Sequence, residues 1–168
     1  MSDAVDPPSN ILIRDAVPSD AAAVAAVYVE SGNSGWAGFA PRRDLTPALV
    51  SRWEHDLGAG LPWRWWTALE GEDLIGFAGI GPSRDPVAMG LGEIDTIAVH
   101  SRWWRRGVGR ALMAVALRHL TADGYLSAIV WTWAGYPRAD AFYRATGWVA
   151  DGATRAGGAH ARYRRSLR

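Results

Sequence analysis

Arg102-Trp-Trp-Arg-Arg-Gly-Val-Gly-Arg-Ala111 opens a helix, and its reading decides the fold. An apolar, strand-like run, Ile94-Asp-Thr-Ile-Ala-Val99, precedes it. A helical pattern with Val108, Leu112, Val115 and His119 on one face follows it. Four arginines, Arg102, Arg105, Arg106 and Arg110, therefore crowd a helix N-terminus. The helix dipole already makes that end positive, so cations belong there only if an anion joins them. Gly107 and Gly109 let backbone N–H groups approach a ligand closely, and free N–H groups at a helix start bind phosphate oxygens. The run reads as a pyrophosphate cradle. The plainer reading, a solvated helix start, leaves the placement of the cations unexplained.

Strand, cradle and helix lead into a further strand at Leu126–Trp133, a β-α-β unit that requires a right-handed parallel crossover. Working outward, Ile11–Arg14 reads as a strand. A helix begins at Pro18-Ser-Asp, with Ser19 or Asp20 near its cap, and runs to Val29; Ser31–Pro41 reads as a glycine-rich loop. Thr46 caps and Pro47 opens a second helix, which Gly58 ends. Trp63–Leu69 and Leu74–Ile80 form a hairpin around Gly71-Glu-Asp73. Pro137–Thr146 is a short helix closed by Gly147, Trp148-Val149 starts a strand, Asp151–Gly158 is a polar loop and Ala161–Leu167 is the final strand. The order β-α-α-β-β-β-α-β-α-β-β predicts an α/β (α+β) class. It implies a mixed, mostly antiparallel sheet of about seven strands flanked by about four helices. The expected organisation is a disordered lead over 1–10 and a single domain over 11–168.

Composition narrows the function. The net charge of +1 gives no global field for nucleic acid or a membrane, and no apolar stretch reaches transmembrane length. The 18 basic residues are all arginine. With no cysteine, a thiol nucleophile, disulfides and thiolate metal sites are excluded. His55, His100, His119 and His160 show no metal-ligand spacing, so no metal is expected. The acidic N-terminus does not read as a signal peptide, and the expected location is the cytoplasm.

The chain resembles the GNAT superfamily of acyl-CoA-dependent N-acyltransferases. Arg105-Arg-Gly-Val-Gly-Arg-Ala111 fits the family's (Gln/Arg)-x-x-Gly-x-(Gly/Ala) pyrophosphate loop, and Ile97-Ala-Val99 fits the strand before it. Arg138-Ala-Asp-Ala-Phe-Tyr-Arg-Ala-Thr-Gly-Trp148 looks like the family's late Phe-Tyr helix. The element order agrees over essentially the whole chain. One position departs: the Asn that often contacts the pantetheine arm is replaced here by Tyr136. The resemblance implies acetyl-CoA as cosubstrate. It implies that the sheet splays beside Ile97, Ala98 and Val99, whose backbone then holds pantetheine. The loop Arg105, Arg106, Gly107, Val108, Gly109, Arg110 and Ala111, with Arg138, would hold the rest of the cofactor. Related proteins commonly pair through their late strands, so a homodimer is among the arrangements implied.

Acyl transfer to an amine needs a base. Glu93 and Asp95 lie two apart on the central strand and share a face, which Ile97 and Val99 are expected to continue. Burial and a neighbouring like charge raise a carboxyl pKa toward a useful value. In related enzymes an acid at the Glu93 position often takes the proton through a water. Asp95 is the second candidate or an ammonium anchor, and His100 a further base. The alternative is a structural pair facing an arginine such as Arg84. The leaving thiolate needs a proton donor, and the resemblance places Tyr143 beside the thioester. Trp36 and Phe39, in the loop that usually lines the acceptor pocket of the family, together with Trp131 and Trp133 on one strand face, are the candidate acceptor wall. The expected reaction moves acetyl from acetyl-CoA directly to a primary amine of a small molecule: an amino acid, an amino-acid-like toxin or an antibiotic. A protein N-terminal acetyltransferase and a non-catalytic acyl-CoA sensor are the alternatives.

Overall fold

The β-α-β unit around the cradle stands at the centre of the molecule. The protein is described by a computed structural model covering residues 10–168. Its strands are Ile11–Asp15 (β1), Arg64–Glu70 (β2), Asp73–Pro82 (β3), Gly92–Val99 (β4), Ser127–Trp133 (β5), Val149–Arg155 (β6) and His160–Ser166 (β7). They form one sheet in the order β1-β2-β3-β4-β5-β7-β6. The pair β4–β5 is parallel and every other neighbouring pair antiparallel. The α-helices are Ala21–Gly35 (α1), Pro47–Gly58 (α2), Val108–Ala122 (α3) and Pro137–Ala145 (α4). The α/β class, the mixed sheet and the element order agree with the reading of the sequence. Of the lead expected over 1–10, all but Asn10 lies outside the described residues.

Each face of the sheet carries its own core. On one face, Val108, Leu112, Met113 and Leu120 of α3 and Tyr143 of α4 pack on Ala78, Ile80 and Ile94. On the other, Val24 and Val27 of α1 and Trp53 and Leu57 of α2 pack on Trp65 and Phe77. Each large apolar side chain so buried contributes about 1.5–3 kcal/mol. Thr46 caps α2 as expected, its Oγ1 accepting from the Leu49 N–H at 3.2 Å.

Three expectations are corrected. First, the helix expected to stop at Val29 continues to Gly35, through residues of weak helix propensity. Packing overrides propensity here: Gly32 is buried, and a Cβ on it would meet the Trp36 ring at 3.1 Å. Second, the polar loop expected from Asp151 is largely the body of β6, which pairs with β7 at Val149, Ala150, Thr154 and Arg155 and bulges between Ala150 and Thr154. Third, Ile97 and Val99 do not continue the face of Glu93 and Asp95. The register slips at β4, with Ile94 opposite Ile80 but Thr96 opposite Gly79, leaving Asp95 as the extra residue of a bulge. One extra residue flips every later side chain. Ile97 and Val99 accordingly join the α3 core beside Ile94, while Ala98 packs into the opposite one.

Candidate active site

Past the bulge the sheet opens. β4 and β5 pair only from Gly92/Ala128 to Ile94/Val130, although both strands run on, to Val99 and Trp133. Between the parted strands lies a cleft of about 1110 Å³. Asp95 to Val99 form one wall and Val130 to Trp133 the other, with the start of α3 at one end and α4 along the side. Ile97, Ala98 and Val99 stand beside this gap in the sheet.

At the α3 end the backbone makes the site. Gly107, the N-cap of α3, has φ 84°, and Arg105 has φ 63°. Left-handed residues turn neighbouring N–H groups toward a common point, a geometry that binds anions. No side chain caps α3 and no acidic residue occupies its first turn, so its leading N–H groups are free for a ligand. A Cβ on Gly109 would come within 3.3 Å of Phe142, which explains the second glycine. Arg105, Arg110 and Arg138 line this end. The Arg138 guanidinium lies 4.0 Å over the Trp104 ring, and Trp104 Nε1 donates to the Val99 carbonyl at 2.6 Å.

Three cradle residues offer the cleft no side chain. Val108 and Ala111 are buried in the core, and Arg106 leans over Trp103 away from the cleft, bordering a separate small pocket near Asn10 and Glu70. Only the backbone of these residues remains available to a cofactor. From below, Glu30 of α1 braces the connection leading to the cradle, accepting from the Ser101 N–H at 2.9 Å and from the Ser101 hydroxyl. His100 Nδ1 lies 3.6 Å from the same carboxylate. His100 does not line the cleft.

At the other end side chains make the site. Trp36, at the end of α1, meets Trp133 edge to face at 6.2 Å, and Trp133 stacks on His160 at 4.3 Å. Trp131 lies beneath Arg155 at 4.5 Å. The Arg43 guanidinium lies 4.9 Å from the ring centres of both Tyr28 and Trp36. Trp36, Trp131 and Trp133 thus line this end of the cleft as an aromatic wall. Phe39 does not join it; its ring packs on Tyr136 at 5.4 Å outside the cleft. The substituted Tyr136 also holds the end of α1, since its hydroxyl occupies the space of a Gly35 Cβ. Tyr28, Arg43, Arg155 and His160 escaped sequence reasoning. Arg155 falls inside the Asp151–Gly158 segment read as a loop, and His160 just beyond it. Arg43 lies just beyond the glycine-rich stretch, and the hydrogen bonds that the Asn33 side chain makes to its backbone have no short-range signal.

The acids are unequal. Asp95 faces the cleft but pairs with Arg84 at 2.8 Å, the structural role foreseen as its alternative. Glu93 sits beside it, half-buried behind the cleft wall, its Oε2 accepting from the Arg84 N–H at 3.0 Å. Burial raises the Glu93 carboxyl above the usual carboxylate range, against that N–H, and the Asp95 charge adds to the rise. Tyr143 is buried between Phe142, Trp148 and Tyr163 and still borders the cleft. Burial, then the neighbouring Tyr163, pushes its phenol strongly upward, so it stays protonated.

Solved structures share this fold. An N-acetyltransferase from Staphylococcus aureus Mu50 superposes with a TM-score of 0.77 at 19% identity, covering 95% of this chain and 100% of that one. PaiA N-acetyltransferase from Thermoplasma acidophilum, solved in complex with coenzyme A, gives 0.74 at 15% identity, covering 93% of this chain and 98% of that one. A mycothiol acetyltransferase from Streptomyces scabiei is 30% identical over 144 residues, or 84% of this chain; the chain spans 44% of that protein's length. Residues 34–148, from the end of α1 through the cradle to three residues beyond α4, match the model of the acetyltransferase (GNAT) family. With that match over the cleft-forming elements and the shared fold, the chain belongs to the acetyltransferase (GNAT) family, whose acyl donor is acetyl-CoA.

Proposed function

We propose that the protein moves the acetyl group of acetyl-CoA directly to a primary amine of a small molecule. The observation that carries this reading is the continuity of the cleft, which runs from the uncapped start of α3 to the aromatic wall of Trp36, Trp131 and Trp133. The free N–H groups of α3, with Arg105, Arg110 and Arg138, would bind the pyrophosphate. The parted backbone of Ile97–Val99 would align the acyl arm. The bound amine must lose a proton before its nitrogen attacks the thioester carbonyl carbon. Glu93 is the proposed base, acting through a water because it lies behind the wall; Asp95 then anchors the ammonium. As the C–N bond forms and the C–S bond breaks, Tyr143 donates a hydrogen bond to the departing sulfur. The nitrogen loses two protons in all: the first goes to Glu93, and the second, shed once the C–N bond has formed, replaces the one Tyr143 passes to the sulfur, so the thiol leaves neutral without an enzyme-bound acyl group.

The likeness to a mycothiol acetyltransferase supports a small-molecule acceptor over a protein chain. Aromatic side chains at the acceptor end suit a compact, apolar or flat body. The test follows free thiol released from acetyl-CoA across amino acids, aromatic amines and aminoglycosides, for the wild type, Glu93→Gln and Tyr143→Phe. Amine-dependent release that falls in both variants is expected. Tight acetyl-CoA binding without release on any amine would overturn the reading in favour of a sensor or a peptide acceptor.

A further inference from the structure

Two guanidinium groups at the acceptor end have no assigned task. Arg43 is half-buried, and it is held in place with some care. The Asn33 side chain clasps its backbone from both sides, accepting from the Arg43 N–H at 2.8 Å and donating to its carbonyl at 2.9 Å. Its side chain lies against Tyr28 and Trp36 and donates to the Tyr28 hydroxyl. Among the described residues, no carboxylate lies within ion-pair distance of it. Arg155, across the aromatic wall, has no carboxylate within ion-pair distance among the described residues, although its charge reaches Glu93; Arg162 beside it holds Asp85 and Asp151 at 2.8 and 2.9 Å. Among the described residues the one acid lining the cleft, Asp95, is already paired with Arg84. The cradle end has its own cations and free N–H groups for phosphate, so these two are left over.

Resting on the small-amine reading above, we propose that the acceptor carries a carboxylate as well as its amine, and that Arg43, seconded by Arg155, holds that carboxylate. A half-buried cation is favoured when an anion meets it, and a guanidinium offers a planar fork that matches a carboxylate. One Nη donates to the Tyr28 hydroxyl, and the remaining N–H donors are left for a ligand. The acceptor's apolar body would lie on Trp36 and Trp133, with the amine at the Glu93–Asp95 side and the carboxylate at the arginine side. Such a molecule is a zwitterion whose carboxylate meets Arg43 while its amine meets the acids. The carboxylate is unchanged by the reaction. Polyamines and aminoglycosides, rich in cations, would be repelled by the same residues.

The experiment compares kcat/KM for matched acceptors: phenylalanine, leucine and 4-aminobenzoate, each against its primary amide. The wild type is expected to favour at least one acid over its amide by about tenfold or more. Arg43→Gln is expected to erase most of that ratio, chiefly through KM, and Arg155→Gln to reduce it. The wild-type ratio needs no variant, so the proposal stays testable if Arg43→Gln fails to fold. Transfer to amides as fast as to acids, or a preference for polycations, overturns the carboxylate assignment alone. An Arg43→Gln protein that loses acetyl-CoA affinity while keeping the acid-to-amide ratio overturns it by assigning the cation to the cofactor. Absence of transfer to every acceptor, with acetyl-CoA bound, overturns the small-amine reading and this proposal together.

Discussion

Around Gly107 the cleft presents main-chain N–H groups set by two left-handed residues; around Trp133 it presents rings and guanidinium groups. The first end is built from backbone geometry, the second from side chains. Backbone geometry is imposed by a few residues at fixed spacing. A side-chain wall can be rebuilt one residue at a time while the sheet stays as it is. The comparison suggests how one fold keeps its donor and changes its acceptor.

Damage confined to one end should leave the other intact, and the chemistry between them should suffer most. Glu93→Gln is therefore expected to lower kcat by about a hundredfold or more while acetyl-CoA affinity holds. Because burial raises this carboxyl, the acid limb of the wild-type pH profile should lie above the ordinary carboxylate range, and the variant should lack it. The same shift has a sign for stability. A carboxyl raised in the folded state stabilises most below its unfolded pKa and loses that contribution as pH rises through its folded one. Glu93→Gln should thus raise the melting temperature at neutral pH and leave it unraised near pH ~4.

Gly107→Ala tests the backbone end. Its φ of 84° strains any residue with a Cβ. Acetyl-CoA affinity measured by calorimetry should fall by about tenfold, roughly the effect of misplacing one or two charged hydrogen bonds. An unchanged affinity would remove the cradle from the argument. Trp133→Ala tests the side-chain end: the acceptor KM should rise by about tenfold with acetyl-CoA affinity unchanged. If both constants move together, the two ends are not independent.

The smallest effect lies outside the cleft. Asp20 accepts from Arg14 at 2.8 and 2.9 Å and from the Val17 N–H at 2.9 Å, and the Arg14 hydrogen bond holds its carboxyl below the usual value. Asp20→Asn should cost about 1 kcal/mol in urea unfolding at pH 7. A carboxyl lowered in the folded state stabilises above its unfolded pKa, so the difference should shrink as pH falls through the acid range. Neither end of the cleft should register the change.

The cradle was legible because its chemistry is local: Arg105, Gly107 and Gly109 carry it within five residues. The sheet order followed from strand patterning and the Thr46 cap from residue type. What stayed hidden depends on contacts between distant segments. The bulge at Asp95 is a mismatch between two strands and leaves no mark in either one alone. The last turns of α1 are poor helix by composition and are held by Trp36 and Tyr136. Arg43 gains its meaning from Asn33 and Tyr28, ten and fifteen residues away. Arg106 looked equivalent to Arg105 in sequence, yet the turn sends it out of the cleft.

The parting of β4 from β5 gives the sheet an edge in its interior. Edges exchange their amide hydrogens with the solvent quickly, whereas paired strands do so slowly. Amides of Thr96–Val99 and Trp131–Trp133 that point into the gap should take up deuterium early, while Gly92–Ile94, still paired, should resist. A donor seated in the gap would act as a temporary neighbouring strand. Loss of deuterium uptake at those few positions would then measure occupancy residue by residue, with no product to be detected.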